Sequence, residues 1–319
     1  MKPRKGTLWK RVRAHGMFYI MLLPALLFIL IFSYAPMGGV IMAFKQFKLN
    51  APSAIGNVPV FRYFGQLMNM DWVGMKWFDN LFHKPDFWNA FRNTLIISFG
   101  RLVIEFPMPI ILALMLNEMR HPRLKRVYQT FYTFPNFLSW VLVVSLIRLI
   151  FQSEGTVNLL IKSLGGQPVG FLSDPALFRP MLFASSIWKS AGWSSIIYLA
   201  TISGIDPTLY EAATIDGANR WQAMVHVTWP SMKPTVVILL ILQCGTILNA
   251  GFDQVFNLMN NLTRSVGEIF DTYIYMYAFQ KGQNLALTAA AGLFKSVCNF
   301  ALLLAANSIA KLFGEEGLL

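Results

Sequence analysis

The sequence predicts an all-α, polytopic membrane protein with about six transmembrane helices. Composition, the length of its apolar stretches and the placement of its basic residues all indicate this class. Of 319 residues, 55% are hydrophobic and 13% are charged, whereas soluble proteins have about 25% charged residues. So much apolar surface requires lipid to face, which argues against a single soluble domain.

Six apolar stretches are long enough to cross the hydrocarbon layer, which takes about 20 helical residues. They cover residues 17–43, 94–117, 128–151, 180–203, 235–258 and 286–312. No soluble domain fits between them. The sequence therefore predicts a basic amino-terminal segment over 1–16, followed by one membrane domain over 17–319.

Basic residues predict the orientation, because cytoplasmic segments of membrane proteins are enriched in Lys and Arg. Residues 2–13 contain six of them, and the loop 119–127 contains four. We therefore expect the amino terminus in the cytoplasm, and an even number of spans returns the carboxyl terminus there. The aromatic-rich segment 45–92 becomes an external loop. The same rule accounts for the net charge of +12, so we predict no nucleic-acid partner.

The segment 204–234 lies between the fourth and fifth apolar stretches and is too polar to cross a bilayer. Asp206, which is followed by a proline, is a typical helix start, and Gly217 is a typical helix stop. A second short helix is predicted over 219–228, which Pro230 should end. Two short helices joined at a glycine form a compact unit suited to receive force from another subunit.

Three elements of this segment form a spaced motif. They are Glu211-Ala212-Ala213, then Gly217, then Val227-Thr228-Trp229-Pro230. The motif resembles the EAA loop of ATP-binding cassette (ABC) importer permeases, which reads Glu-Ala-Ala, three residues, Gly, nine residues, Ile-x-Leu-Pro. The spacing is kept throughout, while Val227 replaces Ile and Trp229 replaces Leu. The resemblance implies that Glu211, Ala212, Ala213, Gly217 and Pro230 form a cytoplasmic coupling surface for an ATPase.

Segments 87–94, 270–275 and 291–296 are similar to the sugar-importing branch of this family, in particular to oligosaccharide permeases of the alginate, polyuronate and rhamnogalacturonan type. The resemblance implies a subunit of the bacterial inner membrane that imports an oligosaccharide. It also implies a second homologous permease subunit, two ATPase subunits and an external solute-binding protein.

The sequence contains no G-x-x-x-x-G-K-[ST] phosphate loop, so the chain lacks that ATP-binding cradle. We expect it to bind no cofactor, with ATP and Mg held by the ATPase partners. The four histidines lie outside the apolar stretches, and no catalytic or metal site is predicted. A transport subunit is therefore expected rather than an enzyme.

Polar residues within the fifth apolar stretch suggest a substrate pathway. Thr246, Asn249, Asp253 and Asn257 recur every three or four residues, which places them on one face of a continuous helix. Amides and a carboxylate offer both donors and acceptors to sugar hydroxyls. The alternative is that they form hydrogen bonds between packed helices.

Two lysines in other stretches extend this hypothesis. Lys189 follows Trp188, and Lys295 precedes Asn299 by four residues; neither lysine has an acidic partner nearby in sequence. Cations along a pathway would suit an acidic oligosaccharide such as an oligouronate, although lysines also extend to the membrane surface. Arg101 and Glu105, one turn apart, are expected to neutralise each other.

Two other classes of protein remain as alternatives. An ion-coupled secondary transporter would also place charges within the membrane, but it gives the segment 204–234 no task. An intramembrane enzyme would need paired catalytic groups inside its spans, and the sequence shows none.

Overall fold

The computed structural model describes residues 15–46, 70–281 and 284–312. The predicted basic segment 1–16 therefore lies almost entirely outside the described residues, as does the central part of the predicted external loop 45–92. Within the described ranges the regular structure is helical, apart from one isolated antiparallel bridge between Lys45 and Trp72.

The helices are numbered in chain order, and α1, α3 and α9 contain internal turns of π or 3-10 geometry. They run over Gly16–Phe44 (α1), Lys76–Phe82 (α2), Pro85–Asn117 (α3), Pro122–Thr133 (α4), Trp140–Phe151 (α5), Thr156–Ser163 (α6), Pro175–Ser203 (α7), Pro207–Ile215 (α8), Arg220–Gly245 (α9), Phe252–Leu258 (α10), Arg264–Gly267 (α11), Phe270–Phe279 (α12) and Leu285–Leu312 (α13).

Five helical segments of the described chain are long and apolar enough to cross a membrane. They are Gly16–Phe44, Pro85–Asn117, Trp140–Ser163, Arg220–Gly245 and Leu285–Leu312. The predicted stretch 180–203 lies within α7, which has 29 residues. This helix has the length of a span but is less apolar, because it carries a series of serines and Lys189.

The chain divides into two compact units, residues 1–81 with 281–293, and residues 82–280 with 294–319. The first unit contains α1, which buries no residue between Gly16 and Met37. A small apolar cluster joins Ala43, Phe78 and Ala290 in this unit. The indole N–H of Trp77 donates to the Lys45 carbonyl at 2.9 Å.

The second unit has two apolar clusters, and α7 contributes to both. The first cluster contains Ile97, Val144, Phe178, Leu182, Ala250, Val255, Leu258 and Ile269. The second contains Ile110, Ala113, Leu116, Tyr198, Leu199, Ile202, Met232 and Val236. Because α7 packs on α3, α4 and α9, it is the central helix of this unit.

Gly192 allows α4 to approach α7 closely. A Cβ atom on this glycine would lie 2.0 Å from the Tyr132 carbonyl oxygen, far inside van der Waals contact. The end of α4 therefore rests directly on the backbone of α7.

Two predicted spans are not continuous helices. In 128–151, α4 ends at Thr133, and α5 begins at Trp140 after a short 3-10 turn. Pro135 lies in this turn; it has no backbone N–H to continue an α-helix. The side chain of Ser139 caps the new helix by accepting from the Leu142 N–H at 3.3 Å.

The predicted span 235–258 is interrupted between α9 and α10. Residues 246–251 are not helical, and Gly251 has a φ of 82°, in the left-handed region that favours glycine. The prediction that Thr246, Asn249, Asp253 and Asn257 share one helical face is therefore wrong. Ile247, Leu248 and Ala250 keep this segment partly apolar, so hydropathy alone does not show the break.

The expected helix end at Pro230 is also wrong. A π turn over Met224–Thr228 precedes this proline, and the helix continues as α9 to Gly245. A π turn shifts the hydrogen-bonding pattern by one residue, which accommodates the missing N–H of proline.

The contact at Gly192 gives a testable consequence for stability. We expect Gly192→Ala to lower the thermal unfolding midpoint of the detergent-purified protein, because overpacking costs roughly 1–3 kcal/mol. Gly292→Ala is the matched control: a Cβ at Gly292 in α13 meets nothing within 4 Å, so the midpoint should not fall. Equal midpoints for the two variants would contradict the close approach.

Candidate functional site

A polar cavity of about 510 Å³ lies in the second unit, and its lining includes Phe106, Tyr198 and Leu239 of the second apolar cluster. Its walls come from α3, α7, α9 and the non-helical residues that follow α9. The polar side chains that line it without formal charge are Ser98, Ser186, Ser190, Ser194, Tyr198, Gln243, Thr246 and Asn249. Hydroxyls and amides supply both donors and acceptors, so the cavity is suited to a hydroxyl-rich solute.

The charged residues lining this cavity are Arg101 and Glu105, which belong to a π turn within α3. Their side chains are 3.1 Å apart, as their spacing predicts. The Ser186 hydroxyl donates to Glu105 at 2.7 Å. Because the pair neutralises itself, the lining has no net charge.

Gln254 connects this pair to α7. Its side-chain oxygen accepts from Arg101 at 2.6 Å, and its amide group donates to the Leu182 carbonyl at 2.7 Å. A Cβ on Gly251 would lie 2.7 Å from the Arg101 guanidinium. Glycine at this position therefore lets the arginine lie against the backbone that leads into α10.

Backbone groups in the break between α9 and α10 are hydrogen-bonded by side chains. Asn299 of α13 accepts from the Leu248 N–H at 3.1 Å, and the Ser98 hydroxyl donates to the Ile247 carbonyl. Asn299 was predicted to lie on the substrate pathway, but its side-chain oxygen is used in this structural bond. It is not among the cavity-lining residues.

The structure does not support lysines as free cations on the pathway. Lys189 is buried and donates to the Asn136 carbonyl at 2.7 Å, with its ammonium 5.5 Å from the Trp140 ring centroid. Trp188 is half exposed, and neither it nor Lys189 lines the cavity.

Lys295 forms an ion pair with Asp271 at 2.5 Å. Its partner is 24 residues away in sequence, so no local pattern indicates the pair. Neither lysine is a free cation and neither lines this cavity, and their place on the substrate pathway stays a prediction.

The other predicted pathway residues lie at or beyond the cavity. Asn249 lines the cavity and is exposed. Asp253 is exposed and Asn257 half buried on α10. The carbonyl of Asn257 accepts from Arg148 at 2.6 Å.

The serines of α7 that line the cavity were not among the predicted pathway residues. Ser186, Ser190 and Ser194 are four residues apart, which places them on one helical face. This spacing was the available signal. Among the described residues no cluster of His, Cys, Asp or Glu is arranged to hold a metal ion.

The second site is the segment 204–234, where the predicted helix signals are confirmed. Asp206 caps α8 by accepting from the Thr208 N–H at 2.9 Å, and this bond holds the pKa of Asp206 below its ordinary value. Gly217 has a φ of 80°. Asn219 and Gln222 then form a capping box at the start of α9.

One contact holds this segment together, and a second fixes it to the rest of the second unit. The hydroxyl groups of Tyr210 and Thr228 are 2.9 Å apart and join α8 to α9. Arg220 lies 3.9 Å from Glu118, just beyond the end of α3. α8 is therefore tied to α9, and the start of α9 is paired with the residue that follows α3. Both α3 and α9 line the cavity.

The predicted coupling residues lie on an accessible surface. Glu211, Ala212, Gly217 and Pro230 are exposed, and Ala213 is half buried. Two large apolar side chains are exposed beside them, Ile215 at 86% and Trp221 at 69%. Apolar groups next to an accessible carboxylate are typical of a protein-binding surface.

Comparisons with solved structures place this fold among ABC transporters. One match is a chain of a bacterial ABC transporter involved in the import of the acidic polysaccharide alginate. The TM-score is 0.84 at 37% identity, covering 96% of this chain and 98% of that chain. A second match is a chain of a bacterial alginate ABC transporter in complex with an alginate pentasaccharide-bound periplasmic protein. Its TM-score is 0.85 at 36% identity, and the match covers 98% of this chain and 99% of that chain.

Sequence comparisons agree. Protein LplB of Bacillus subtilis (strain 168) is 43% identical over 98% of this chain and 95% of its own length. The polygalacturonan/rhamnogalacturonan transport system permease protein YteP of the same organism is 42% identical over 99% of this chain and 94% of its own length.

Residues 106–313 match the family model of the binding-protein-dependent transport system inner membrane component. This match includes the cavity residues of α7 and α9 and the whole segment 204–234. The chain therefore belongs to this family of ABC importer permeases, and it is a membrane-spanning transport subunit rather than an enzyme.

Proposed function

We propose that this chain is one of two homologous permease subunits of an importer that carries an acidic oligosaccharide across the bacterial inner membrane. An external solute-binding protein delivers the sugar, and two separate ATPase subunits bind ATP and Mg. One observation carries the proposal. Nearly the full chain is similar in sequence and fold to a chain of the alginate transporter solved with its pentasaccharide-bound periplasmic protein.

The proposed orientation puts both termini and the segment 204–234 in the cytoplasm. The ion pair between Arg220 and Glu118 supports it. This contact brings the segment close to the basic run 120–126, which the positive-inside rule assigns to the cytoplasm. The loop 45–92 is then external.

The contacts of the second unit suggest how force reaches the cavity. α9 extends without interruption over 26 residues, about 39 Å at 1.5 Å per residue. It begins beside α8, to which the Tyr210–Thr228 bond joins it, and near its far end Gln243 lines the cavity. When the ATPases close on ATP and move α8, α9 transmits the movement to the cavity wall, which opens outward. Hydrolysis then resets the cavity inward.

The cavity supports the sugar part of the proposal. Its volume falls within the range of roughly 300–1,000 Å³ for ligand sites, and its lining offers hydroxyls and amides. Preference for an acidic sugar is supported by the relatives that act on alginate and polygalacturonan.

The coupling surface can be tested in the assembled transporter. We expect Glu211→Ala and Gly217→Val each to lower ATPase stimulation by the ligand-loaded binding protein about tenfold or more. The first change removes an exposed carboxylate, and the second forces a branched residue into the left-handed region. Lys162→Ala, on the exposed surface of α6, is the control. Unchanged stimulation in both variants would reject this surface.

The bond between α8 and α9 gives a separate prediction. Tyr210→Phe should leave the complex assembled but weaken coupling several-fold, because one hydrogen bond contributes about 0.5–1.5 kcal/mol. The readout is sugar transported per ATP hydrolysed in proteoliposomes. Tyr128→Phe in α4 removes an exposed phenol hydroxyl instead and should behave as wild type. A normal transport ratio for Tyr210→Phe would exclude the bond from the force path.

Substrate class can be tested with the wild-type complex and its binding protein. Oligouronates should stimulate ATP hydrolysis and enter proteoliposomes, while neutral oligosaccharides of equal length should do so at least tenfold less. Stimulation by neutral sugars alone would overturn the acidic preference and leave the importer assignment intact.

A further inference from the structure

Four aromatic side chains form a ladder on α10 and α12. Phe252 and Phe256 belong to α10, and Tyr275 and Phe279 belong to α12. Ring centroids are 5.2 Å apart from Phe252 to Phe256, 5.0 Å from Phe256 to Tyr275 and 5.2 Å from Tyr275 to Phe279. None of the four is buried, and Phe279 is 65% exposed.

The second unit also contains an aromatic cluster of the ordinary structural kind. Phe87 and Phe270 pack edge to face at 5.3 Å, and both are fully buried. That cluster is core packing. The ladder differs from it because its rings remain accessible, so packing within the chain does not explain it.

The ladder begins where the cavity ends. Asn249 lines the cavity wall, Gly251 closes the non-helical segment, and Phe252 starts α10. At its other end, Phe279 is the last residue of α12. Phe252 also lies 5.5 Å from Tyr275, so the rings of α10 contact those of α12 directly. A solute leaving the cavity along α10 therefore passes this joined group of rings.

Polar groups without partners accompany these rings. Across the described residues, the side chains of Asn249 and Asp253 and the hydroxyl of Tyr275 form no hydrogen bond. Unpaired polar groups are costly in contact with lipid. Their position beside accessible rings indicates a path filled by water or by a polar solute.

Rings flanked by unpaired polar groups match the chemistry of a sugar. A pyranose has an apolar face of C–H groups, which stacks on an aromatic ring, and a rim of hydroxyls, which needs donors and acceptors. We propose that Phe252, Phe256, Tyr275 and Phe279 form a stacking surface along which an oligosaccharide passes between the external binding protein and the cavity. This inference rests on the proposed function.

Arg148 adds a charge contact for an acidic sugar. Its guanidinium is exposed and donates one hydrogen bond to the carbonyl of Asn257, next in sequence to Phe256. Within the part of the chain that the structure describes, the Arg148 side chain forms no other hydrogen bond or ion pair. Its remaining N–H groups therefore suit a carboxylate, which guanidinium binds in a planar fork. The Arg148 guanidinium contacts the residue that follows Phe256. We therefore expect it to pair with the carboxylate of a uronate stacked on Phe256.

The test uses the complete transporter in proteoliposomes with its binding protein, supplied with an oligouronate or a neutral oligosaccharide. Phe279→Leu and the double variant Phe252→Leu/Phe256→Leu keep apolar volume but remove the stacking faces. We expect uptake at subsaturating sugar to fall at least fivefold and at least tenfold, respectively. Phe99→Leu, which changes an exposed ring on α3, should leave uptake unchanged.

Arg148→Gln keeps a donor for the Asn257 carbonyl but removes the charge. It should lower oligouronate uptake about tenfold and leave neutral-sugar uptake within twofold of wild type. Equal loss for both sugars would overturn the charge contact.

Other outcomes separate the ladder from the proposed function. If the wild-type complex takes up sugar and the ladder variants take it up as fast as Phe99→Leu does, the ladder is overturned and the importer assignment stands. Loss of the second permease during purification of the ladder variants would show that these rings form a subunit interface, which also overturns it. If the wild-type complex takes up no oligosaccharide, the proposed function fails first and the ladder fails with it.

Discussion

The architecture of the second unit depends on one constraint: backbone polar groups within a membrane must be hydrogen-bonded by the protein itself. A continuous helix satisfies these groups by itself, but the break between α9 and α10 leaves backbone groups of residues 246–251 without helical hydrogen bonds. Asn299 and Ser98 compensate by bonding the Leu248 N–H and the Ile247 carbonyl. Both belong to other helices, so the break is a built feature of the packed bundle.

The same break explains the electrostatics of the cavity. Gly251 has no side chain to exclude the Arg101 guanidinium, which reaches Gln254 on α10 while retaining Glu105 on its own helix. The charges therefore cancel at the cavity wall. In the proposed mechanism this neutral wall binds a sugar through its hydroxyls, and selection for acidic groups is assigned to Arg148, outside the cavity.

Sequence reasoning succeeded where a signal and its structural partner are close in sequence. Asp206, Gly217 and Asn219 determine the ends of short helices through bonds within a few residues. It failed where partners are distant. Lys295 and Asp271 are 24 residues apart, and Lys189 and Asn136 are 53 apart. Ile247, Leu248 and Ala250 keep the break at 246–251 partly apolar, so hydropathy alone does not indicate where the helix stops.

The position of the break gives the two halves of this span different roles in the proposed mechanism. α9 runs from the coupling surface to Gly245, and the π turn before Pro230 preserves its continuity. α10 is instead held to α7, because Gln254 donates to the Leu182 carbonyl and to Ser185. Movement of α9 therefore displaces Gln243 and Thr246 relative to a fixed α10. The cavity changes shape at its boundary with the ladder, and a continuous helix would move both regions together.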